Sequence, residues 1–231
     1  MIPLRDINPT ERFPLVTVFL LWINILIYLV QLLSGGQAEE AMVASFGLVP
    51  AKLFEDAVTR GAVPAGMTLI TSQFLHGGFF HIAGNMLYLW IFGNNVEDSM
   101  GRIRFTVFYL LCGVIAAVSH SLANTVSLVP MIGASGAISG ILGAYLVLYP
   151  RARVITLMIF GLYLRTVEVP AMFVLGFWFI LQFLSALVLP GTGGGVAWYA
   201  HVGGFIAGIL LVGLFKRSNV PFGGGRSDHF L

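Results

Sequence analysis

The stretch 133–149 reads GASGAISGILGAYLVLY, and the stretch 197–215 reads AWYAHVGGFIAGILLVGLF. In the first run Gly136, Gly140 and Gly143 follow Ser135 at a spacing of four and three positions. In the second run Gly204 and Gly208 lie three and seven positions after His201, on its own helical face. Small residues let two helix backbones approach closely inside a membrane. If these two faces pack together, the Ser135 hydroxyl and the His201 imidazole come within hydrogen-bonding distance.

The composition around these two runs predicts a protein of the lipid bilayer. Hydrophobic residues make up 58% of the 231 residues and charged residues 10%, whereas a soluble chain has about 45–50% and about 25%. The mean hydropathy is +0.91. The formal net charge of +2 gives no indication of a nucleic-acid partner. The single cysteine, Cys112, excludes an internal disulfide framework and a cysteine-based zinc site.

Six apolar segments predict an all-α membrane protein, a six-transmembrane-helix bundle over residues 13–217. The segments are 13–33, 79–92, 103–123, 135–149, 169–189 and 197–215. The second and fourth are short and interrupted by polar residues or glycine, so we expect them inside the bundle. Residues 1–12 are expected to be a cytoplasmic arm without a removable signal peptide, and residues 218–231 a flexible tail.

Two segments between the predicted spans differ from the spans in composition. Residues 34–72 mix charged residues with large apolar ones, which predicts a long amphipathic first loop with helical turns on the membrane surface. Residues 154–164 are apolar but too short to cross, and arginines flank them. This pattern predicts an interfacial or re-entrant segment.

The positive charges predict the orientation. Of the 12 Lys and Arg residues, ten lie on the side of the N-terminus in a six-span arrangement, and only Lys52 and Arg60 lie on the other side. Cytoplasmic segments carry the excess of such residues. We therefore predict a multi-pass protein of the cell membrane with both termini in the cytoplasm.

Polar side chains inside a membrane are costly, and each is a candidate functional residue. The predicted spans contain no Asp or Glu, which argues against proton-coupled transport and against an aspartyl protease, and the chain has no H-E-x-x-H zinc motif. The candidates that remain lie in or beside the second, fourth and sixth spans, towards their outer ends. They are His76, His81, Asn85, Ser135, Ser139 and His201.

A serine paired with a histidine is a unit of acyl-transfer chemistry. The histidine takes the hydroxyl proton as the serine attacks a carbonyl, and later gives it to the leaving amine. The spans offer no carboxylate to orient His201, so the prediction is a Ser135–His201 dyad. His81 and Asn85, four residues apart on one helical face, and the backbone N–H of Ser135 are candidate donors to the oxyanion.

At these residues the chain resembles the rhomboid family of intramembrane serine proteases. The resemblance rests on HGGFFHIAGN at 76–85, GASG at 133–136 and AHVGG at 200–204, with EDSMGR at 97–102 as a further match. It implies cleavage of peptide bonds in or near transmembrane segments, with substrate proteins and the bilayer as partners and without cofactor, metal, nucleotide or nucleic acid. It also implies Ser135 as nucleophile, His201 as general base and acid, and His81 and Asn85 as oxyanion donors.

Two departures from the family pattern leave alternatives open. The loop 34–72 has no Trp-Arg pair, which some bacterial members have, and Ser139 stands where many members have an aromatic residue beneath the catalytic histidine. The Ser139 hydroxyl is expected either to orient His201 or to bond to its own helix backbone. A catalytically inactive rhomboid-like protein that binds transmembrane helices, and a channel lined by histidines, are the alternatives. Residues 169–189 or the loop 190–195 are candidates for a substrate gate.

Overall fold

The computed structural model describes residues 1–54, 63–160, 163–188 and 196–224. Within them the helices are α1 (Leu15–Ser34), α2 (Gly36–Phe46), α3 (Pro50–Phe54), α4 (Ala65–Thr71), α5 (Phe79–Met100), α6 (Arg102–Ala123), α7 (Ser135–Leu148), α8 (Ala171–Val188) and α9 (Trp198–Phe215), and a 3₁₀ turn follows α4. Strands β1 (Ile2–Asp6), β2 (Arg153–Phe160) and β3 (Tyr163–Pro170) form one antiparallel sheet in the order β1-β2-β3.

Among the described residues, four helices are long and apolar enough to cross a membrane: α1, α6, α8 and α9. They coincide with the first, third, fifth and sixth predicted spans, so the chain is a mostly helical, multi-pass membrane protein. The other two predicted spans correspond to α5 and α7. With 14 residues, α7 is about 21 Å long at 1.5 Å per residue, which is less than the ~30 Å of bilayer hydrocarbon.

The short helix α7 lies inside the bundle, as its glycine-rich sequence predicts. It packs against α9, α6 and α5, and every residue from Gly136 to Tyr145 is buried. In contrast, α1 and α8 are at the periphery and expose large apolar side chains such as Trp22 and Phe173. The polar groups that α7 carries are therefore enclosed by other helices.

Helix α5 is two turns longer than the predicted span 79–92 because the polar residues after Phe92 are buried and bonded. The Glu97 carboxylate accepts hydrogen bonds from the backbone N–H groups of Val16 and Thr17, at 3.0 and 2.7 Å, and from the Thr17 hydroxyl at 2.8 Å. These N–H groups belong to the first turn of α1, which has no acceptors for them within the helix. The end of α5 thus caps the start of α1.

The all-α prediction is wrong at the sheet. Residues 154–164 do not form a re-entrant segment: β2 and β3 pair antiparallel from Arg153–Pro170 to Phe160–Tyr163. The run of Val, Ile and Thr in β2 favours a strand because branched side chains fit a pleated surface. The arm 1–12 is also structured, since β1 pairs with the other edge of β2 and has an irregular register between Pro3 and Arg5.

The sheet is attached to the ends of the helices. The Tyr145 hydroxyl near the end of α7 donates a 2.7 Å hydrogen bond to Asp6 Oδ2 of β1. At the start of α8, the backbone N–H of Ala171 donates to the Ala152 carbonyl at 2.8 Å, and that of Met172 donates to the Pro150 carbonyl at 2.9 Å. These bonds fix the N-terminal end of α8 against the connection between α7 and β2.

The predicted loop 34–72 contains α2, α3, α4 and the start of the 3₁₀ turn, and residues 55–62 lie outside the described residues. Leu48 joins this segment to the one before α7 through two backbone hydrogen bonds with Met131, at 3.0 and 2.7 Å. The first part of the predicted flexible tail contacts the bundle: Val220 is buried and the Gly223 N–H donates to the Val147 carbonyl at 3.1 Å. Residues 225–231 lie outside the described residues.

Candidate active site

The glycines of α7 and α9 bring the two helices into backbone contact, as the sequence predicts. A Cβ on Gly204 would overlap the carbonyl oxygen of Gly136, and a Cβ on Gly208 would overlap that of Gly140. Any larger residue at Gly204 or Gly208 would push the helices apart. Their faces therefore meet at backbone distance immediately below the two polar side chains.

Ser135 and His201 lie together at the open end of this contact. Ser135 is the first residue of α7, and His201 lies in the first turn of α9. The distance between Ser135 Oγ and His201 Nε2 is 2.8 Å, within the range of an O–H···N hydrogen bond. His201 is buried, with 8% of its surface exposed.

Sequence analysis missed the residue on the other side of the imidazole. Gln182 of α8 places its Oε1 at 2.7 Å from His201 Nδ1. Gln182 is not ionisable and belongs to none of the three motifs, but an amide within an otherwise apolar span is itself a signal of function. The two ring nitrogens of His201 thus face Ser135 and Gln182.

Aromatic rings from two elements hold the His201 ring. The indole of Trp178 in α8 is 5.9 Å away and tilted by 34°, and the indole of Trp198 is 6.2 Å away, edge to face. The Ser139 hydroxyl donates a 2.6 Å hydrogen bond to the Ser135 carbonyl. Of the two expectations for Ser139, bonding to its own helix is the one observed, and tryptophans of α8 and α9 supply the aromatic packing on His201.

His81 faces the turn that leads into Ser135. The Gly77 N–H donates to His81 Nδ1 at 3.3 Å, so the neutral ring carries its proton on Nε2. A Cβ on Gly133 would lie 2.7 Å from His81 Nε2, and Gly133 has a φ of 122°. Only glycine fits this turn on both counts, which brings the Nε2–H donor close to the segment just before the serine.

Asn85 approaches the same turn one helical turn further along α5. Its Nδ2 would be 3.7 Å from a Cβ on Gly133. In the described part of the chain this buried Nδ2 has no hydrogen-bond partner. The backbone N–H of Ser135 starts a helix and has no acceptor inside it. His81 and Asn85 therefore direct N–H donors at the turn around Gly133, two residues before Ser135.

His76 lies behind His81 and is fully buried. Its ring meets that of His81 edge to face, with centroids 5.2 Å apart. Its backbone N–H donates to Gln31 Oε1 at 3.0 Å, and its carbonyl accepts from Gln31 Nε2 at 3.3 Å. His76 thus connects the loop before α5 to α1 and supports His81 from behind.

The acids of α5 are remote from these groups. Glu97 lies 16 residues after His81, which is about 24 Å along the helix at 1.5 Å per residue. The site therefore combines a hydroxyl, two imidazoles and two amides. This set can transfer a proton between Ser135 and His201, and its N–H groups can stabilise a developing negative charge on an oxygen beside Ser135.

Comparison with known proteins gives a family match over most of the chain. A model of the Rhomboid domain matches residues 64–218, a range that includes all the residues of the candidate site except Gln31. The resemblance that the three motifs indicate is thereby confirmed at the level of the family.

Curated relatives carry the same name. The chain is 30% identical over 157 residues to Rhomboid protein 1, mitochondrial, of Saccharomyces cerevisiae, covering 64% of this chain and 41% of that protein. It is 30% identical over 164 residues to RHOMBOID-like protein 1 of Arabidopsis thaliana, covering 67% and 38%. It is 32% identical over 133 residues to Rhomboid protease GluP of Bacillus subtilis, covering 58% and 24%. The matched part of this chain thus covers well under half of each relative.

Proposed function

The chain belongs to the rhomboid family, and on this premise we propose that it is an intramembrane serine endopeptidase. It cleaves peptide bonds in or near the transmembrane segments of membrane-protein substrates. The observation that carries the proposal is the 2.8 Å approach of Ser135 Oγ to the buried His201 Nε2 at the end of the contact between α7 and α9. The similarity to a protein named Rhomboid protease GluP supports the same activity.

The reaction proceeds in two halves. As Ser135 Oγ attacks the scissile carbonyl carbon, its proton passes to His201 Nε2. The tetrahedral intermediate collapses, the C–N bond breaks, and His201 gives the proton to the leaving amine. A water then attacks the acyl-enzyme, His201 accepts a proton from that water, and the proton returns to Ser135 Oγ as the acid product leaves.

The negative charge of each tetrahedral intermediate develops on the former carbonyl oxygen. We assign three donors to this oxygen: His81 Nε2–H, Asn85 Nδ2–H and the Ser135 backbone N–H. Donors fixed before the reaction do not need to reorganise when the charge forms, and each is typically worth ~10²–10³ in turnover. Within the described ranges the buried Nδ2 of Asn85 has no hydrogen-bond partner, so it is available to donate to this oxygen.

The proposal also covers the number of spans, their orientation and the membrane in which they lie. We propose six spans, with α5 and α7 as the second and fourth, both termini in the cytoplasm and the dyad near the outer face of the cell membrane. The pairing of β1 with β2 and the contact of Arg217 with Asp98 put Arg5, Arg153 and Arg217 at one end of the molecule, which supports this sidedness. The outer position gives water, which deacylation consumes, a route to the site.

A fluorophosphonate probe tests the proposal directly, because it reacts only with an activated serine. The purified, detergent-solubilised protein is expected to be labelled, whereas Ser135→Ala and His201→Ala are not. Ser139→Ala is the matched control: this serine lies one turn further along the same helix and is expected to leave labelling intact.

A substrate assay in proteoliposomes then separates protease from binder. Cleavage of a reconstituted transmembrane substrate is expected from the wild type and not from Ser135→Ala. If folded wild-type protein is neither labelled nor cleaves, the alternative of an inactive rhomboid-like protein that binds transmembrane helices replaces the protease proposal.

A further inference from the structure

Gln182 is the one amide side chain in α8, whose sequence is AMFVLGFWFILQFLSALV. An amide in a membrane-spanning helix is costly unless it is hydrogen-bonded. This amide is half-buried and directs its Oε1 at His201 Nδ1, 2.7 Å away. We propose that Gln182 is a positioning residue that keeps the His201 proton on Nδ1. Its meaning for catalysis rests on the proposed function of the Ser135–His201 pair.

The argument follows from the protons of a neutral imidazole, which carries one N–H and one lone pair. An amide oxygen only accepts hydrogen bonds, so the bond to Gln182 Oε1 requires a proton on His201 Nδ1. Nε2 is then the nitrogen with the lone pair, and it faces the Ser135 hydroxyl at 2.8 Å. In the opposite tautomer Nε2 would donate to Ser135 Oγ and would be unable to accept its proton.

Packing between α8 and α9 fixes the place of Gln182. Phe179 stacks on Phe205 with centroids 4.6 Å apart and nearly parallel rings. Trp178, one helical turn before Gln182, packs against both His201 and Phe205. The aromatic face of α8 therefore holds the backbone of Gln182 at the distance from which its amide reaches the imidazole.

A neutral acceptor suits this site better than a carboxylate would. During proton transfer His201 becomes an imidazolium, and the Nδ1–H···Oε1 bond then becomes a charge-assisted one. Gln182 supplies this stabilisation without the penalty of burying an ionised acid among the apolar residues of α8 and α9. The chain thus has an orienting third group, although its predicted spans contain no Asp or Glu.

The chemistry of the amide provides the discriminating variants. A rotation of the Gln182 amide by 180° about χ3 would present its NH₂ group to His201 Nδ1. That donor would favour the tautomer with the proton on Nε2. Gln182→Glu with its carboxyl ionised can only accept, so it preserves the Nδ1 proton. Because burial raises the pKa of a carboxyl, this variant is measured at a pH high enough to ionise it. Gln182→Met keeps the length and most of the volume but has no acceptor of comparable strength. Ser185→Ala, at the other polar residue of α8, is the matched control.

The first measurement reads the tautomer without requiring activity. Protein labelled with ¹⁵N only in histidine is compared by NMR as wild type, Gln182→Met, Gln182→Glu and Ser185→Ala, with His201→Ala to identify the His201 signals. We expect the His201 proton on Nδ1 in the wild type, Gln182→Glu and Ser185→Ala, and a mixture of tautomers in Gln182→Met. A wild-type proton on Nε2, or an unchanged tautomer in Gln182→Met, overturns the proposal.

The second measurement is the rate of fluorophosphonate labelling of the same proteins. Gln182→Met is expected to react roughly 10–100-fold more slowly than wild type, the value of one hydrogen bond to a charged group. Gln182→Glu is expected to restore most of that rate, which a purely structural role of Gln182 does not predict. Equal rates for Gln182→Met and wild type overturn the proposal.

The two measurements also separate this inference from the protease proposal. If the wild type is not labelled but its His201 tautomer still depends on Gln182, the activity proposal fails and the positioning role stands. If the wild type is labelled and the tautomer is independent of Gln182, the dyad stands and the positioning role fails.

Discussion

Gly208 of α9 lies so close to Gly140 of α7 that a Cβ on Gly208 would overlap the Gly140 carbonyl oxygen. This contact lies about one and a half turns below Ser135 along α7 and about two turns below His201 along α9. The spacing of the proposed catalytic pair is therefore set by two residues that have no side chains. A change at either glycine acts on the 2.8 Å distance between Ser135 Oγ and His201 Nε2.

Gly208→Ala is expected to separate α7 from α9 and to slow labelling of Ser135. A displacement of about 1 Å at reacting atoms costs on the order of 10²-fold in rate, so we expect a loss of that size by fluorophosphonate kinetics. Gly176→Ala in α8 is the control, because a Cβ there meets no atom within 4 Å. Equal labelling of Gly208→Ala and Gly176→Ala would show that this glycine contact does not set the dyad.

Asn85→Ala is expected to slow substrate cleavage by ~10²–10³ while leaving the fold intact. The Nδ2 group has no partner in the described residues, so its removal costs little stability. The measurements are kcat/KM on a reconstituted substrate and the melting temperature. Asn124→Ala is the comparison, since the Asn124 amide just after α6 donates to the His120 carbonyl of that helix. A large drop in the melting temperature of Asn85→Ala would assign Asn85 to structure instead.

Glu97→Gln is expected to destabilise the bundle without touching the site. Glu97 is 3% exposed and accepts three hydrogen bonds at the start of α1. A hydrogen bond to a charged group is worth about 1.5–3 kcal/mol, and glutamine can keep only part of this set. We expect a lower unfolding free energy by ~2 kcal/mol in detergent, with Glu40→Gln, at an exposed position, as the control. An unchanged unfolding free energy would contradict the capping role.

Asp6 is expected to make the stability depend on pH. Burial raises the pKa of Asp6 from 3.8 to about 6, although the hydrogen bond from Tyr145 and the charge of Arg5 act to lower it. Because the folded state favours the protonated acid, the contribution of Asp6 to stability is full below about pH 4 and is lost as the pH rises through about 6.

The matched variant is Asp6→Asn, which keeps an oxygen acceptor for the Tyr145 hydroxyl and does not titrate. The difference in melting temperature between Asp6→Asn and wild type is expected to grow as the pH increases from about 4 to about 7. A difference that is constant across this range would mean that Asp6 titrates normally in the folded protein.

The motifs predicted the meeting of Ser135 and His201 because glycines at helical spacing follow each of them, and this pattern is visible in a sequence. His81 was predicted on the same grounds of spacing. The position of its Nε2–H depends also on the Gly77 N–H and on the positive φ of Gly133, and neither can be read from spacing alone.

The sheet and Gln182 were missed for different physical reasons. Residues 154–164 are apolar and flanked by arginines, a composition that suits both an interfacial segment and a strand. The segment forms a strand because β2 pairs with β1, which lies about 150 residues away in the chain. Gln182 was missed because its partner, His201, is on another helix, and only the packing of α8 on α9 brings the two side chains together.

Two backbone hydrogen bonds hold the start of α8 to the Pro150 and Ala152 carbonyls. Gln182 is 11 residues after Ala171, about 16 Å along the helix at 1.5 Å per residue, so a rotation of α8 about its anchored end would move Gln182 most directly. A swing of ~10° would carry Gln182 by ~3 Å, more than enough to break its 2.7 Å bond to His201. An outward swing of α8 that admits a substrate helix from the side would therefore also break the bond between Gln182 and His201. His201 Nε2 would regain its fixed lone pair, and with it the ability to take the Ser135 proton, only when α8 returned.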